Sequence, residues 1–268
     1  MHDNRLVLIM VPGRNDRAFY KAFLLKMSRG HGLGIIDVDQ YEEEKYHVLA
    51  QAFQIDEASP IRRSSVLKVN IGKGRKEIYV IVLPTEGNVV EKACDVLKYQ
   101  SGLFPPAIDY LAVAEDAEDR CFRERLDSLR DSLRSRGCIK IKEEQEQGRH
   151  FRLYALKEPK NVKLMLLVQG VEQGLDLVDK HAVEDYVLYP HKPYVQEIAK
   201  NCPKLIDRIS HGRHAHKKMA LLMTIYMCYK NLEEAFFNGL DEQELEVLVK
   251  SNDGLATLIK SIEQLVKS

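Results

Sequence analysis

The sequence has no tryptophan, no excess of either charge and no hydrophobic run long enough to cross a bilayer. Its 40 Lys and Arg are balanced by 40 Asp and Glu. The bulk attraction that marks a general polyanion binder is therefore missing, and any phosphate-binding function must come from local clusters. The longest nearly apolar stretch, Met219 to Tyr229, has eleven residues and is interrupted by Thr224, well short of the ~20 a spanning helix needs. His2, Asp3 and Asn4 precede the first apolar run without the basic flank or small-residue cleavage site of a secretory signal, so the expectation is a cytoplasmic protein. The five cysteines, Cys94, Cys121, Cys138, Cys202 and Cys228, contain no C-x-x-C pair. An odd, scattered set argues against a disulfide framework and against a thiolate zinc site, and reads as reduced, mostly buried thiols. What is present is ordinary: 268 residues, 45% hydrophobic and 30% charged, enough for a sizeable core in one large domain or two smaller ones.

Arg5 to Val11 is short, apolar and β-branched. Pro12-Gly13-Arg14-Asn15-Asp16 follows at once, and then Phe19, Tyr20, Phe23, Leu24 and Met27 recur at helical spacing. This reads as strand, tight turn and helix. Gln40 to Gln54 reads as a second, more exposed helix. Val66 to Ile71 and Glu77 to Leu83 flank Gly72-Lys73-Gly74-Arg75, a hairpin pattern with a basic tip. A helix from Val89 to about Gln100, a strand from Asp109 to Ala114, a charged helix to about Arg136, strands Phe151 to Leu156 and Val162 to Val168, and a helix around Leu175 to Leu188 complete the pattern. Apolar strands alternating with helices imply a mainly parallel sheet covered on both faces. Beyond Pro190 only helical periodicity remains. The expected organisation is thus an α/β domain over residues 1–190 and a helical C-terminal subdomain over 191–268.

In open α/β sheets ligands gather outside the carboxyl ends of the strands, where loops 12–16 and 115–119 belong. The second loop carries Glu115, Asp116, Glu118 and Asp119 within five residues. Two unit charges ~4 Å apart repel by roughly 4 kcal/mol at an effective dielectric of 20, so such a cluster needs a cation, a proton or solvent. Mg²⁺ takes one or two carboxylates plus water and substrate phosphate. A solvated first helical turn is the alternative reading of the same residues.

Leu6 to Ala22, LVLIMVPGRNDRAFYKA, resembles the first motif of the Toprim (topoisomerase-primase) domain, and Asp109 to Asp119, DYLAVAEDAED, is similar to its second motif, a strand ending in Asp-x-Asp. The layout over about residues 5–190 resembles stand-alone archaeal Toprim-like proteins and the Toprim part of the overcoming-lysogenization-defect nucleases. The resemblance implies a Rossmann-like, Toprim-type sheet. It also implies a Mg²⁺ or Mn²⁺ site built from Asp116 and Glu118 with Asp119 and Asp16 nearby, and phosphodiester cleavage or transfer on nucleic acid, DNA or RNA. Pro12 stands where the family carries its first-motif glutamate, and proline can neither bind metal nor shuttle a proton. Glu86, in Pro84-Thr85-Glu86-Gly87 after the neighbouring strand, is the acid nearest by topology to replace it, with a plain turn residue as the other reading.

His181, Glu184 and Asp185 lie on one short helical segment and resemble the acidic stretch after the last Toprim strand, a further metal ligand or a partner for a basic residue. The densest basic feature is Arg208 to Lys218, RISHGRHAHKK. Cations at a helix start oppose its dipole, at roughly 0.3 to 1 kcal/mol each, unless an anion binds there. Arg213, His214, Lys217 and Lys218 therefore make one phosphate candidate, Lys73, Arg75 and Lys76 at the hairpin tip a second, weaker one, and Arg14 a further phosphate-binding residue. Met219, Met223 and Met227 with Leu221, Leu222 and Ile225 cover more than one face of the next helix, which fits burial against the sheet domain or an interface, including that of a homo-oligomer. Three functions stay open: a Mg²⁺-dependent nuclease or phosphodiester transferase, a degenerate module that binds nucleic acid or protein without chemistry, and an unrelated doubly wound domain that binds a phosphorylated small molecule at the same edge.

Overall fold

The computed structural model describes residues 5–53, 63–70, 77–100, 108–118, 121–159, 161–171, 181–211 and 214–268. Eight strands, β1 (Arg5–Val11), β2 (Gly34–Asp37), β3 (Ser65–Asn70), β4 (Ile78–Pro84), β5 (Ile108–Asp116), β6 (Lys140–Gln147), β7 (Phe151–Glu158) and β8 (Lys163–Gln169), form one sheet in the order β2-β3-β4-β1-β5-β8-β7-β6. The helices are α1 (Arg14–Gly30), α2 (Glu42–Phe53), α3 (Val89–Gln100), α4 (Phe122–Ser135), α5 (Asp185–Leu188), α6 (Lys192–Asn201), α7 (Pro203–Ile209), α8 (Ala215–Tyr226), α9 (Leu232–Glu234), α10 (Glu242–Ser251) and α11 (Asp253–Lys267).

The chain is α/β, but the sheet is mixed and not mainly parallel. Only the central pairs β1–β4, β1–β5 and β5–β8 are parallel, against four antiparallel pairs, β2–β3, β3–β4, β6–β7 and β7–β8. The reason lies in the connections. Parallel neighbours need a crossover of a dozen or more residues, whereas residues 71–77, 148–150 and 159–162 are far too short for one, so β4, β7 and β8 fold back on their predecessors. Two strands escape the apolar pattern. Gly34 to Asp37 follows a run of glycines, and Lys140 to Gln147 is almost wholly polar because both of its faces lie in solvent at the sheet edge.

The four central strands are buried on both faces, as their uninterrupted apolar runs require. One face packs under α2, α3 and α4 through Leu8, Met10, Ile81, Leu111 and the α4 stripe Phe122, Leu126, Leu129 and Leu133. The other face packs under α1 and the C-terminal helices through Val7, Ile9, Met165, Leu167, Phe19, Tyr186, Met219, Leu255 and Ile262. The α10–α11 junction is fastened to β8 by Asn252, whose buried amide donates to the carbonyls of Val168 and Gly170 at 3.2 Å each and to the Tyr186 hydroxyl at 2.9 Å. The α10 start carries a capping box between Asp241 and Glu244. Asp241→Ala is expected to cost about 1 kcal/mol, read as a small drop in the urea midpoint at unchanged slope.

One sequence expectation changes here. Cys94 of α3 and Cys138 after α4 form a disulfide, with Cα atoms 5.1 Å apart, while Cys121, Cys202 and Cys228 are free and exposed. The thiols are therefore neither all reduced nor mostly buried: α3 and α4 pack side by side on one sheet face, which brings together cysteines 44 positions apart. Helix α8, read as buried against the sheet domain or in an interface, buries Met219 and Met223 in the core on one sheet face and leaves Leu221, Ile225 and Tyr226 exposed. Among the described residues no helix is long and apolar enough to cross a membrane.

Candidate functional site

The carboxyl ends of β1, β5 and β8 lie side by side, and each delivers one polar side chain to the same place. After β1 the chain turns through Pro12 and Gly13 into α1, and Asp16 occupies its first turn, where the helix dipole favours an anion. A Cβ on Gly13 would sit 3.2 Å from the Asp16 carboxylate, so the absent side chain leaves room for the acid to fold back over the strand end. Asp116 ends β5 and Gln169 ends β8, and the two are partners in the parallel register.

Gln169 is fully buried, and its Nε2 donates to Asp16 Oδ1 at 2.8 Å and to Asp116 Oδ1 at 3.3 Å. Asp116 Oδ1 also accepts the Val183 N–H at 3.2 Å. One neutral amide thus stands between two carboxylates, and its own Oε1 is buried without a hydrogen-bond partner among the described residues. Glu184, 6% exposed, closes the group from the segment before α5; it accepts a hydrogen bond from Asn15 and lies 3.8 Å from His216 Nε2.

Burial controls the protonation of these acids. Loss of water, reinforced by the charge of Glu184 and only partly offset by the Gln169 hydrogen bond, pushes the Asp16 carboxyl up to about 6. Asp116 is pushed well above the ordinary carboxylate range by burial first and then by Asp16, Glu184 and Glu118. Glu184 is also raised, by burial, with Lys217 and Asn15 pulling the other way. A second acid, Asp185, is completely buried behind the site. It accepts the Val171 N–H at 3.0 Å and is 2.9 Å from His181 Nδ1; burial raises its pKa and the His181 contact opposes the rise.

The acidic loop after β5 does not act as one cluster. Glu115 pairs with Arg125 at 3.0 Å. Glu118 adopts a left-handed backbone, φ +59°, and joins His181 in an isolated antiparallel bridge, while Asp119 lies outside the described residues. Glu86, also left-handed, is exposed and paired with Arg63 at the β4 end. Arg14, His214, Lys217 and Lys218 are exposed around α1 and the start of α8, and Lys217 is near enough to lower the proton affinity of Glu184. Lys73, Arg75, Lys76 and Arg213 lie outside the described residues. Asp16, Asp116 and Glu184 thus converge; Glu86 does not join them.

Sequence reasoning missed Gln169, and it placed Asn15 and His216 in the loop after β1 and in the basic run before α8 without pairing either with Glu184. Gln169 did leave a signal: like Asp116, it is a polar residue ending a buried apolar strand, and Gly170 follows it. The donor set is oxygen only, which suits a hard divalent cation. Among the described residues, however, no three His, Cys, Asp or Glu side chains are grouped so as to hold a metal.

No family model and no curated protein matches the chain. Solved structures that align with it include a hypothetical protein from S. aureus (14% identity over 62% of this chain and 91% of that one, TM-score 0.19). Others are the genomically encoded fosfomycin resistance protein FosX from Listeria monocytogenes (11%, 62% and 92%, 0.18) and a glyoxylase/bleomycin resistance protein/dioxygenase domain from Frankia sp. EAN1pec (14%, 60% and 93%, 0.18). None of these is named as a Toprim protein. With no family model behind it and a sheet that is not mainly parallel, the Toprim resemblance is withdrawn, and with it the reading of this chain as a Toprim nuclease, phosphodiester transferase or degenerate Toprim module. TM-scores below 0.2 carry no fold or activity to this chain in their place.

Proposed function

We propose that the protein binds a small phosphorylated molecule at the Asp16–Asp116–Gln169 cluster, with a Mg²⁺ or Mn²⁺ ion between the ligand and the acids. The observation that carries this reading is the shared amide: one neutral donor stands between the buried Asp16 and the half-buried Asp116, and both carboxyls are shifted toward holding a proton. Buried charge of one sign without a counterion is costly, so a cation of the right size relieves the site. Asp16, Asp116 and the Oε1 of a rotated Gln169 amide would hold it, with water and ligand oxygens filling the remaining positions, the sparse protein coordination usual for Mg²⁺. When bound, the ion supplies charge neutralisation and a point of attachment for phosphate oxygens. His214, Lys217 and Lys218, at the N-terminal end of the twelve-residue α8, supply the second contact to the phosphate. Glu184 lies between the two helix starts, accepting a hydrogen bond from Asn15 of α1 and lying 3.8 Å from His216 of α8.

Calorimetry with Mn²⁺ tests the reading. The protein is expected to take up one ion, to lose that uptake on Asp116→Asn, and to bind pyrophosphate more tightly with Mn²⁺ than without it. Nucleic acid is not expected to compete. Uptake of pyrophosphate that ignores both the ion and Asp116→Asn would refute it. The affinity should also depend on pH in one direction: Asp16 and Asp116, both shifted toward holding a proton, must lose it to bind the ion, so Mn²⁺ binding should weaken as pH falls, steeply so below about 6.

A further inference from the structure

A separate cavity of about 420 Å³ opens between α1, β3 and α9. It is lined by Arg17, Lys21 and Lys230, by Asp39, Glu233 and Glu234, and by Ala18, Ser65 and Phe237. Most of these charges are already committed. Lys21 lies 2.8 Å from Asp37 and 2.6 Å from Asp39. Asp39 also holds Lys45 at 3.0 Å and accepts the Val66 N–H at 3.0 Å. Glu234 accepts the backbone N–H of Lys230 at 2.9 Å.

Arg17 is different. Its Nη1 donates to the Arg63 carbonyl at 2.6 Å, which fixes the guanidinium plane. The opposite edge, Nε and Nη2, is the fork that matches the two oxygens of a carboxylate. There, Nε is buried with no hydrogen-bond partner among the described residues, and Nη2 has one long 3.4 Å contact with Glu233, a side chain 62% exposed at the rim. A buried charge-assisted donor left unmet is costly, and a solvent-exposed glutamate is a weak, replaceable occupant. Ser64, beside the lining Ser65, also has a fully buried hydroxyl without a partner among the described residues.

We propose that this cavity is a binding site for a small monocarboxylate. The carboxylate takes the Nε and Nη2 edge of Arg17, Glu233 swings out to solvent, and the apolar part of the ligand lies over Ala18 and Phe237. Three carboxylates line the same space, so a dianionic phosphate meets more repulsion than a single negative charge does. The site rests on the cavity and Arg17, and is independent of the acid cluster.

The test is titration of the full chain with pentanoate, followed by calorimetry or by the chemical shifts of the Ala18 and Phe237 signals, with pentanol and inorganic phosphate as comparisons. Pentanoate should bind, and pentanol, which lacks the charge, should bind at least about tenfold more weakly. Arg17→Met should cost a similar factor, and Glu233→Gln, a change at an exposed position, should tighten binding about twofold to fivefold by removing the competing acid. Asp116→Asn should leave all of this unchanged. Absence of pentanoate binding, tighter binding of phosphate than of pentanoate, or a loss on Glu233→Gln would each overturn the assignment.

Discussion

Asp16→Asn is expected to make the metal-free protein more stable at pH 7.5, by about 3 kcal/mol, while removing the stabilisation that Mn²⁺ gives the wild type. The size follows from linkage. In the unfolded chain this carboxyl titrates near 3.8, and in the folded chain burial and Glu184 raise it to about 6. The folded state therefore binds the proton more tightly, and stability is lost as pH rises from about 4 to about 6, then stays flat above that. At about 1.4 kcal/mol for each tenfold change in proton affinity, that difference amounts to roughly 3 kcal/mol. Asparagine keeps the oxygen that accepts the Gln169 Nε2 bond and removes the charge. The helix-dipole contribution lost with it, about 0.5 kcal/mol, is too small to change the sign. For a chain of this length 3 kcal/mol corresponds to about 6–12 °C in Tm. The difference between the two proteins should vanish below about pH 4, where the wild-type acid is protonated in both states. Added Mn²⁺ should raise the wild-type Tm by mass action, about 2.7 kcal/mol at one hundred times its dissociation constant, and leave the variant unmoved. A variant less stable than wild type at pH 7.5 would mean that Asp16 is held ionised by a structural partner, and the cation reading would fail with it.

How much of this could be read in advance differs between frame and site. The β1–turn–α1 unit, the hairpin of β3 and β4 and the α4 stripe follow from apolar spacing, because each is set by which side chains leave water. Sheet direction does not follow from spacing. Residues 148–150 and 159–162 make β6–β7–β8 a meander, and that depends on connection length, which the Lys140 to Gln147 stretch conceals by looking polar. At the site, Asp16 and Asp116 stand out as acids at strand ends. Gln169 leaves only the weaker signal of a polar residue ending an apolar strand, without charge, and its importance comes from a register that pairs it with Asp116 across two strands distant in sequence. Glu115 and Glu118 mislead for the opposite reason. Composition counts them with Asp116, but Glu115 is paired with Arg125, and Glu118, in a left-handed backbone bridged to His181, acts on Asp116 only through its charge. The Cys94–Cys138 bridge is hidden in the same way as Gln169: helix packing makes it, and no local pattern announces it.

Gly170→Ala is expected to damage the fold and the site together. Gly170 follows Gln169 directly and has φ +109°, a conformation open to glycine and strained for any residue with a Cβ. The added methyl would also lie 2.9 Å from the His181 Cβ, 3.0 Å from the Asp185 carboxylate and 3.1 Å from the Ala182 nitrogen. None of these can yield cheaply: the His181 backbone is bridged to Glu118, and Asp185 is completely buried and tied to Val171. Strain of about 1–3 kcal/mol from the backbone and a further 1–3 kcal/mol from overpacking give a loss of about 2–6 kcal/mol, measured as a drop in the urea midpoint. Relief of the clash must push residues 181–185 away from β8. That movement carries off the Val183 N–H that Asp116 accepts and the Glu184 carboxylate beside α8. Mn²⁺ uptake should therefore fall in Gly170→Ala even at temperatures where the variant is fully folded. A control at Gly137, which has φ +67° but nothing within 4 Å of an added Cβ, separates the two causes. Gly137→Ala should show the backbone part of the destabilisation alone and bind Mn²⁺ as the wild type does. If Gly170→Ala matches Gly137→Ala in both readings, the close packing of Gly170 against the 181–185 segment does not support the acid cluster.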